Sequence, residues 1–514
     1  MKQLAGLDAA FLHLETAEMP MHVGALHVLE LAADYDGDYL LDLRDHMASR
    51  LPLAPVLRRR LESVPLNLAN PTWVDAEPDL DVHIVGYEMP PGSGLAALEG
   101  QVSLLHPQLL DRRLPLWKFH VFLGLEAGPE GQRQVGLYSQ LHHAAVDGQA
   151  AVALAGVILD LSPQSAEHKL PATRARQVQL GAAGLLRGAI AQQWQQTVKL
   201  AKALPAAAGT LSMMAARTAL DAAGSSLHDW LNPDTPNPPV KPERVRNLGL
   251  APRTRLNTSL SAERSFSSVS LSLVALNRTR RLHGASLNDA VLFICGGALR
   301  RWFAKHGPLP RKSLVAAVPV SMRARGDSTA NSAGTQATMS LVSLGSHLAD
   351  PAKRLAHVLA ASAAMKSELV QLKDLMPSDY PSIGVPWLMQ AGALLYGRLR
   401  AADKLPVLAN LVISNVPGPT VPLYLAGARM LTNYPTSIVV HGMALNITVQ
   451  TYDKSLDFGL MACGQAMPET AELAAYIETA FMEFLALPVA DEIEPAAKPK
   501  LKPKPARKRA APRR

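Results

Sequence analysis

Residues 133–161, RQVGLYSQLHHAAVDGQAAVALAGVILDL, change hydrophobic period at a pair of histidines. The first part is rich in β-branched and aromatic residues and reads as a strand, whereas from Asp147 small apolar residues recur at helical spacing. A strand that delivers straight into a helix is the building unit of α/β proteins. The histidines fall on the junction, where active sites are commonly placed.

The surrounding chain extends this pattern. Strand-like runs alternate with helices from residue 20 to about 163, and a second block of the same kind runs from about 250 to 490. In that block SLNDAVLFICGGALRRWFAKHG predicts a helix with Val291, Ile294, Cys295, Ala298, Leu299, Trp302 and Phe303 on one stripe. Ser286 and Asp289 stand three apart as in a capping box, and Gly307 is placed to end the helix. LANLVISNVPGP, SIVVHGMALNITVQTY and SLDFGLMACG predict strands. Between the blocks lies an Ala-rich helical connector, with Leu185, Ile190, Trp194, Val198 and Leu200 among basic and amide residues, closed by NPDTPNPPVKPE. A length of 514 residues fits two or three domains. The expected division is 1–163, a connector at 164–249, 250–490 and a tail at 491–514, with the two α/β domains around a shared cleft.

The net charge of +8 resides in the tail. Lys498–Arg514 carries nine basic residues and no acidic one, which leaves 42 basic against 43 acidic side chains in the rest. Its Lys-Pro alternation cannot pack, so a solvated tail is expected, with an anionic membrane face as one candidate partner of the tail and nucleic acid as another, while no nucleic acid is expected for the protein as a whole. Two cysteines, Cys295 and Cys463, are too few for a disulfide framework or a Cys-rich zinc site. The start MKQLAGLDAAFLHLE lacks the apolar core of a signal peptide. Leu405–Ala428, the longest uncharged run, contains Pro406, Pro417, Pro419 and Pro422 and would break as a membrane helix. These features predict a cytoplasmic protein with at most peripheral membrane contact.

Three chemistries are open to His142 and His143. Metal binding is weakly supported, because adjacent histidines at a strand end face opposite ways and no further His/Cys cluster completes a set. A covalent nucleophile is not indicated: G-x-S-x-G, P-loop and dinucleotide fingerprints are absent, and Cys295 sits mid-stripe as a core residue. General base catalysis remains, with a neutral imidazole taking the proton of an attacking hydroxyl. Asp147 orders the turn or caps the next helix, and Gly148 lets backbone pass closely.

HHAAVDG resembles the HHxxxDG signature of the coenzyme A-dependent acyltransferase superfamily, which includes chloramphenicol acetyltransferases and nonribosomal peptide condensation domains. Further segments resemble, in order, the bacterial wax ester synthase/diacylglycerol acyltransferase family: LAGLDAAFLHLETAEMPMHVGAL, LDRRLPLWKFHVFLGL with Pro115 and Trp117, LAPRTRLNTSLSAERSF, SLNDAVLFICGGALRRW with its Asn288-Asp289 pair, VAAVPVSMRA, and LVISNVPGP with Asn415, Pro417 and Gly418. The resemblance implies an α/β fold of two chloramphenicol acetyltransferase-like domains with the site in a tunnel between them. It implies transfer of a long-chain acyl group from acyl-coenzyme A to a fatty alcohol or diacylglycerol, without metal or bound cofactor. His143 would be the base, His142 its support and Asp147 a holder of the turn, while Asn288 would donate to the developing oxyanion, worth about 3 kcal/mol in comparable sites. Both substrates are mostly alkyl chain, at roughly 0.8 kcal/mol per buried methylene. The chain departs from the family at Gly334-Thr335, where an asparagine often follows the glycine. LDFGL, residues 456–460, is read as structural and RGDS, residues 325–328, as a surface turn. The implied location is peripheral to the inner membrane face and lipid inclusions, through the tail and connector helices, although the connector's apolar faces are expected first to pack against protein. The rival readings are transfer to another hydroxyl or amine, and a non-catalytic lipid-inclusion scaffold, against which the intact HHAAVDG argues.

Overall fold

A computed structural model describes residues 2–4, 6–63, 70–146, 148–164, 250–321, 337–373 and 386–488. The expected connector falls outside these from residue 165 on, as do the basic tail, Asp147, the RGDS segment and Gly334-Thr335.

Sixteen strands are present among the described residues. In the N-terminal half they are β1 (Lys2–Gln3), β2 (His22–Glu30), β3 (Arg59–Glu62), β4 (Thr72–Asp75), β5 (Ile84–Ser93), β6 (Trp117–Leu125) and β7 (Gln134–His142). The C-terminal half holds β8 (Arg264–Ser272), β9 (Val315–Ser321), β10 (Ala337–Ser343), β11 (Leu411–Val416), β12 (Tyr424–Leu425), β13 (Ala428–Met430), β14 (Tyr434–Thr436), β15 (Leu445–Tyr452) and β16 (Ser455–Cys463). Two mixed sheets dominate, in the orders β12-β13-β2-β7-β6-β5 and β10-β9-β11-β15-β16-β8, beside a small β1-β4-β3 sheet. The α/β expectation holds.

Strand β7 alternates between two cores. Val135 and Leu137 enter the core built with helix Tyr39–Arg50, and Tyr138 enters the one shared with Phe266 and Met461 of the other half. Both faces are covered, which is why the strand is buried almost throughout, its polar Ser139, Gln140 and His142 included. The helix Gly148–Ile158 follows as expected.

The helix Leu287–His306 begins with the expected capping box of Ser286 and Asp289 and ends at Gly307 in extended backbone. The single stripe is an underestimate. Ala290, Leu292, Phe293, Gly296 and Gly297 are buried as well, because the helix is packed against both Pro351–Lys373 and Thr470–Leu485. Cys295 is fully buried, and desolvation pushes its thiol up to about 12, which suits a core residue. The strand expected over SIVVHGMALNITVQTY forms only from Leu445, since the chain first makes a turn closed by a Val440–Met443 bridge.

The halves interlock. Strands β13 and β14 come from the C-terminal half but pair with β2, and Asp160 bridges Tyr424. LDFGL anchors this exchange. Asp457 accepts from the Asn433 amide at 2.7 Å and from Ser270 Oγ at 2.7 Å. Gly459 admits the Pro435 carbonyl, which a Cβ would meet at 1.7 Å. In the reverse direction, helix Leu95–Leu105 caps the free edge of β8: Ser103 Oγ accepts from Phe266 N at 3.0 Å and Glu99 from Ser268 N at 2.6 Å. Burial raises the Glu99 carboxyl above its ordinary range against these hydrogen bonds.

Candidate active site

The signature turn is held from three sides. His142 is the last residue of β7, pairs across the sheet with His22, and donates its amide to the Leu116 carbonyl at 3.0 Å, next to Pro115 and Trp117. The His143 amide donates to Met21 O at 2.8 Å, and Ala145 N closes the turn on His142 O at 2.9 Å. The chain then enters the helix that starts at Gly148.

The two imidazoles face different surroundings. His142 is fully buried, and its Nδ1 accepts the Ala144 amide at 3.1 Å. That bond assigns the neutral ring's proton to Nε2. Nε2 lies 3.2 Å from Glu15 Oε1, an ion-pair distance at an angle too oblique for a straight hydrogen bond. With both nitrogens facing protein groups and no exposure, His142 cannot meet a substrate. His143 is half-buried, and its ring stacks on Phe11 with centroids 4.0 Å apart.

Glu15 is the organising acid. Its Oε1 also accepts Met21 N at 3.1 Å, while Oε2 takes Arg112 Nη2 at 2.8 Å and Nε at 3.2 Å. Burial opposes its ionisation, but the close Nε2 of His142 and the hydrogen bonds and charge of Arg112 outweigh it and bring the carboxyl from 4.5 to about 2. A depressed folded-state pKa gives stability that is present above the unfolded value and lost as pH falls through the folded one. Glu15→Gln is therefore expected to lower unfolding free energy by about 3 kcal/mol above pH ~5, with the deficit shrinking as pH approaches ~2. Denaturant melts of both proteins across that range check this; a deficit independent of pH would show that the carboxylate charge is not its source.

Beside the turn lies a buried neutral network. His22 Nε2 donates to His106 O at 2.6 Å, His106 Nδ1 meets Tyr138 OH at 2.7 Å, and His120 Nε2 donates to Gln140 Oε1 at 2.8 Å. Desolvation dominates at these rings, lowering His22 and His120 to about 4 and His106 well below its ordinary value. They stay uncharged at neutral pH and stiffen the sheet that carries the signature.

The other expected residues have clear places. Trp117 is buried, donates Nε1–H to Leu57 O at 2.9 Å and stacks on His83. Asp289 receives Ser286 N at 2.8 Å and Ser286 Oγ at 2.7 Å. The capping bonds leave the Asn288 amide outside them, in the first turn of the helix Leu287–His306. Asn415 belongs to β11, and Pro417 follows that strand. Gly418 lies against Thr451, whose carbonyl a Cβ would meet at 2.1 Å. Among the described residues no three His, Cys, Asp or Glu side chains gather as a metal set.

Phe11, Glu15 and Arg112 are absent from the sequence-based site. Their segments are visible only as family-like stretches, since nothing local marks an acid 127 positions from its histidine. The helix bearing Phe11, Gly6–Leu14, itself packs against Pro386–Arg398 of the C-terminal half. The signature thus lies where the halves meet.

Residues 4–291 match the wax ester synthase/diacylglycerol acyltransferase catalytic domain, and residues 333–484 match the C-terminal domain of the same family. The chain is 33% identical over 481 residues to a Mycobacterium tuberculosis protein provisionally named a diacylglycerol O-acyltransferase, covering 93% of this chain and 98% of that one. The wax ester synthase/diacylglycerol acyltransferase from Marinobacter aquaeolei VT8 superposes with a TM-score of 0.63 at 27% identity, covering 94% of this chain and 98% of that chain. The first condensation domain of the calcium-dependent antibiotic synthetase shares the fold, with a TM-score of 0.50 at 14% identity and coverage of 96% and 98%. With its signature turn, its interlocked sheets and both family domains matched in order, the chain belongs to the wax ester synthase/diacylglycerol acyltransferase family, and so to the acyltransferases.

Proposed function

We propose that the chain transfers a long-chain fatty acyl group from acyl-coenzyme A to the hydroxyl of a fatty alcohol or diacylglycerol, with His143 as general base. The observation that carries this reading is the contrast between neighbours: His142 is sealed, with Nδ1 bonded to the Ala144 amide and Nε2 facing Glu15, whereas His143 keeps partial exposure. In the proposed step His143 takes the acceptor's hydroxyl proton while that oxygen bonds to the thioester carbonyl carbon. The C–S bond then breaks, the proton passes to sulfur, and free coenzyme A leaves. Asn288 supplies an amide N–H to the oxyanion, and Asp147 with Gly148 shapes the turn.

No acyl-enzyme is needed, and the thioester is already activated, so this reading includes no resident cofactor or metal. We take 1–163 and 250–490 as the two acyltransferase domains. The protein would work on the cytoplasmic side, at the surface of a membrane or lipid inclusion, where both lipids are found. Among the described residues no single helix is long and apolar enough to cross a membrane, and the bent pair Leu273–Leu282 with Leu287–His306 turns through 101° inside the C-terminal core.

Labelled palmitoyl-coenzyme A offered with hexadecanol or with dipalmitoylglycerol tests the reading. An ester product with at least one acceptor and matching release of free thiol is expected. Absence of product with both would reject it.

A further inference from the structure

The last turns of the helix Pro386–Arg398 keep large apolar residues on the outer side, unlike an ordinary surface helix. Its inner side carries Tyr396 and Gly397, which rest on His441: the Tyr396 ring is 6.0 Å from the imidazole, and a Cβ on Gly397 would meet Nε2 at 3.1 Å. Its outer side presents Leu394 and Leu395, 40% and 56% exposed, and the backbone continues through a bond from Leu399 N to Leu395 O to Leu399, 61% exposed.

The chain then turns tightly and shows Leu405 and Leu408, 49% and 62% exposed. Ala251 N donates to Val407 O and Arg253 to Leu405 O, which brings exposed Leu250 alongside. A run of large apolar side chains held outward by a well-bonded backbone is the informative exception on a protein surface. The charges beside it share one sign. Arg398, Arg400 and Lys404 are exposed, and the one carboxylate among them, Asp403, is taken by Arg400 Nε at 2.6 Å and by Ser259 N at 2.7 Å. Among the described residues Arg398 and Lys404 have no carboxylate partner.

We propose that this face docks on an anionic lipid bilayer, with the leucines entering the acyl region and the cations at the phosphates. Apolar side chains interleaved with basic ones match the layering of such a surface, and neither a water-facing helix nor a protein core requires both. The position adds a purpose, which rests on the function proposed above. This helix lies on Gly6–Leu14, whose Phe11 stacks on His143, so the docked face is one helix away from the acyl-transfer turn. A lipid acceptor leaving the bilayer here would enter one helix away from the base.

Flotation of the full-length protein with phosphatidylcholine vesicles, with and without phosphatidylglycerol, tests the surface. The runs are repeated at about 0.5 M sodium chloride, where screening suppresses purely electrostatic attachment of the basic tail. Wild type is expected to prefer anionic vesicles and to retain binding in salt. Leu395→Asp/Leu399→Asp should lose at least about tenfold in salt-resistant binding, while Leu41→Asp/Val82→Asp, at exposed leucine and valine positions elsewhere, keeps it.

Equal binding by the first pair and wild type, or loss of all wild-type binding in salt, would overturn the proposal. If the aspartate pair melts early, Leu395→Trp replaces it: a blue-shifted emission on vesicles, quenched by brominated lipid, is expected, and unchanged emission rejects docking. Vesicle binding without acyl transfer would count against the reaction alone. Transfer to micellar acceptors by a protein indifferent to Leu395 and Leu399 would count against the surface alone.

Discussion

Replacing His143 with alanine is expected to slow acyl transfer by about 100- to 10,000-fold, the usual worth of a positioned general base. The loss should appear in kcat, because the imidazole acts when the acceptor proton moves and not when the alkyl chains bind. Folding should survive. The ring is half-buried and stacks on Phe11, so truncation forfeits a stack worth about 0.5 to 1.5 kcal/mol. His142→Ala should behave in the opposite order, opening a cavity beside the buried Glu15 carboxylate and reducing stability along with rate. Initial rates with palmitoyl-coenzyme A and hexadecanol, together with thermal melts, separate the two. A His143→Ala protein of undiminished rate would remove this residue from the chemistry.

Asp160→Ala is expected to be among the most destabilising single changes, at about 3 to 5 kcal/mol, and without direct effect on the reacting groups. Arg50 ends the helix Tyr39–Arg50 fully buried, and its Nη2 reaches the two Asp160 oxygens at 2.7 and 2.9 Å. The pair's side chains are 2% and 5% exposed, so removing the carboxylate strands a guanidinium without solvent. Among the described residues Arg50 Nε and Nη1 make no hydrogen bond, so Asp160 is the group that balances the charge. The damage should spread to the exchange, since the Asp160 backbone bridges Tyr424 in both directions at 2.8 Å. Replacing both residues, Arg50→Met with Asp160→Leu, should recover most of the loss, because the penalty belongs to the orphaned charge more than to the missing bond. Urea midpoints of the three variants give the answer; a deficit below about 1 kcal/mol for Asp160→Ala would mean that water reaches Arg50.

How much of this was readable in advance depends on distance along the chain. The β7-to-helix junction, the Ser286/Asp289 cap and strand β16 are legible because each is made by residues within a few positions of one another. The same holds for the histidine pair, and it accounts for half of the site. The clamp does not show. Glu15 and Phe11 reach the turn only after β2 pairs with β7, and no local period records that pairing. The single stripe expected on Leu287–His306 fails for a related reason: it describes a helix with one covered side, and packing on several sides is a property of the assembled half. LDFGL reads as structural from the family resemblance, but its partners Asn433 and Pro435 become visible only in three dimensions.

Strand β2 illustrates what that exchange demands of synthesis. Val28 N donates to Thr432 Oγ1 across a separation of 404 residues. At ribosomal speeds of about 5 to 20 residues per second, roughly 20 to 80 seconds pass before the partner segment exists. Until then one flank of a hydrophobic sheet is an open template for other nascent chains. Expression yield should therefore respond to translation pace and to holdase chaperones, and severing the gene into two co-produced fragments should give precipitate in place of a reconstituted enzyme.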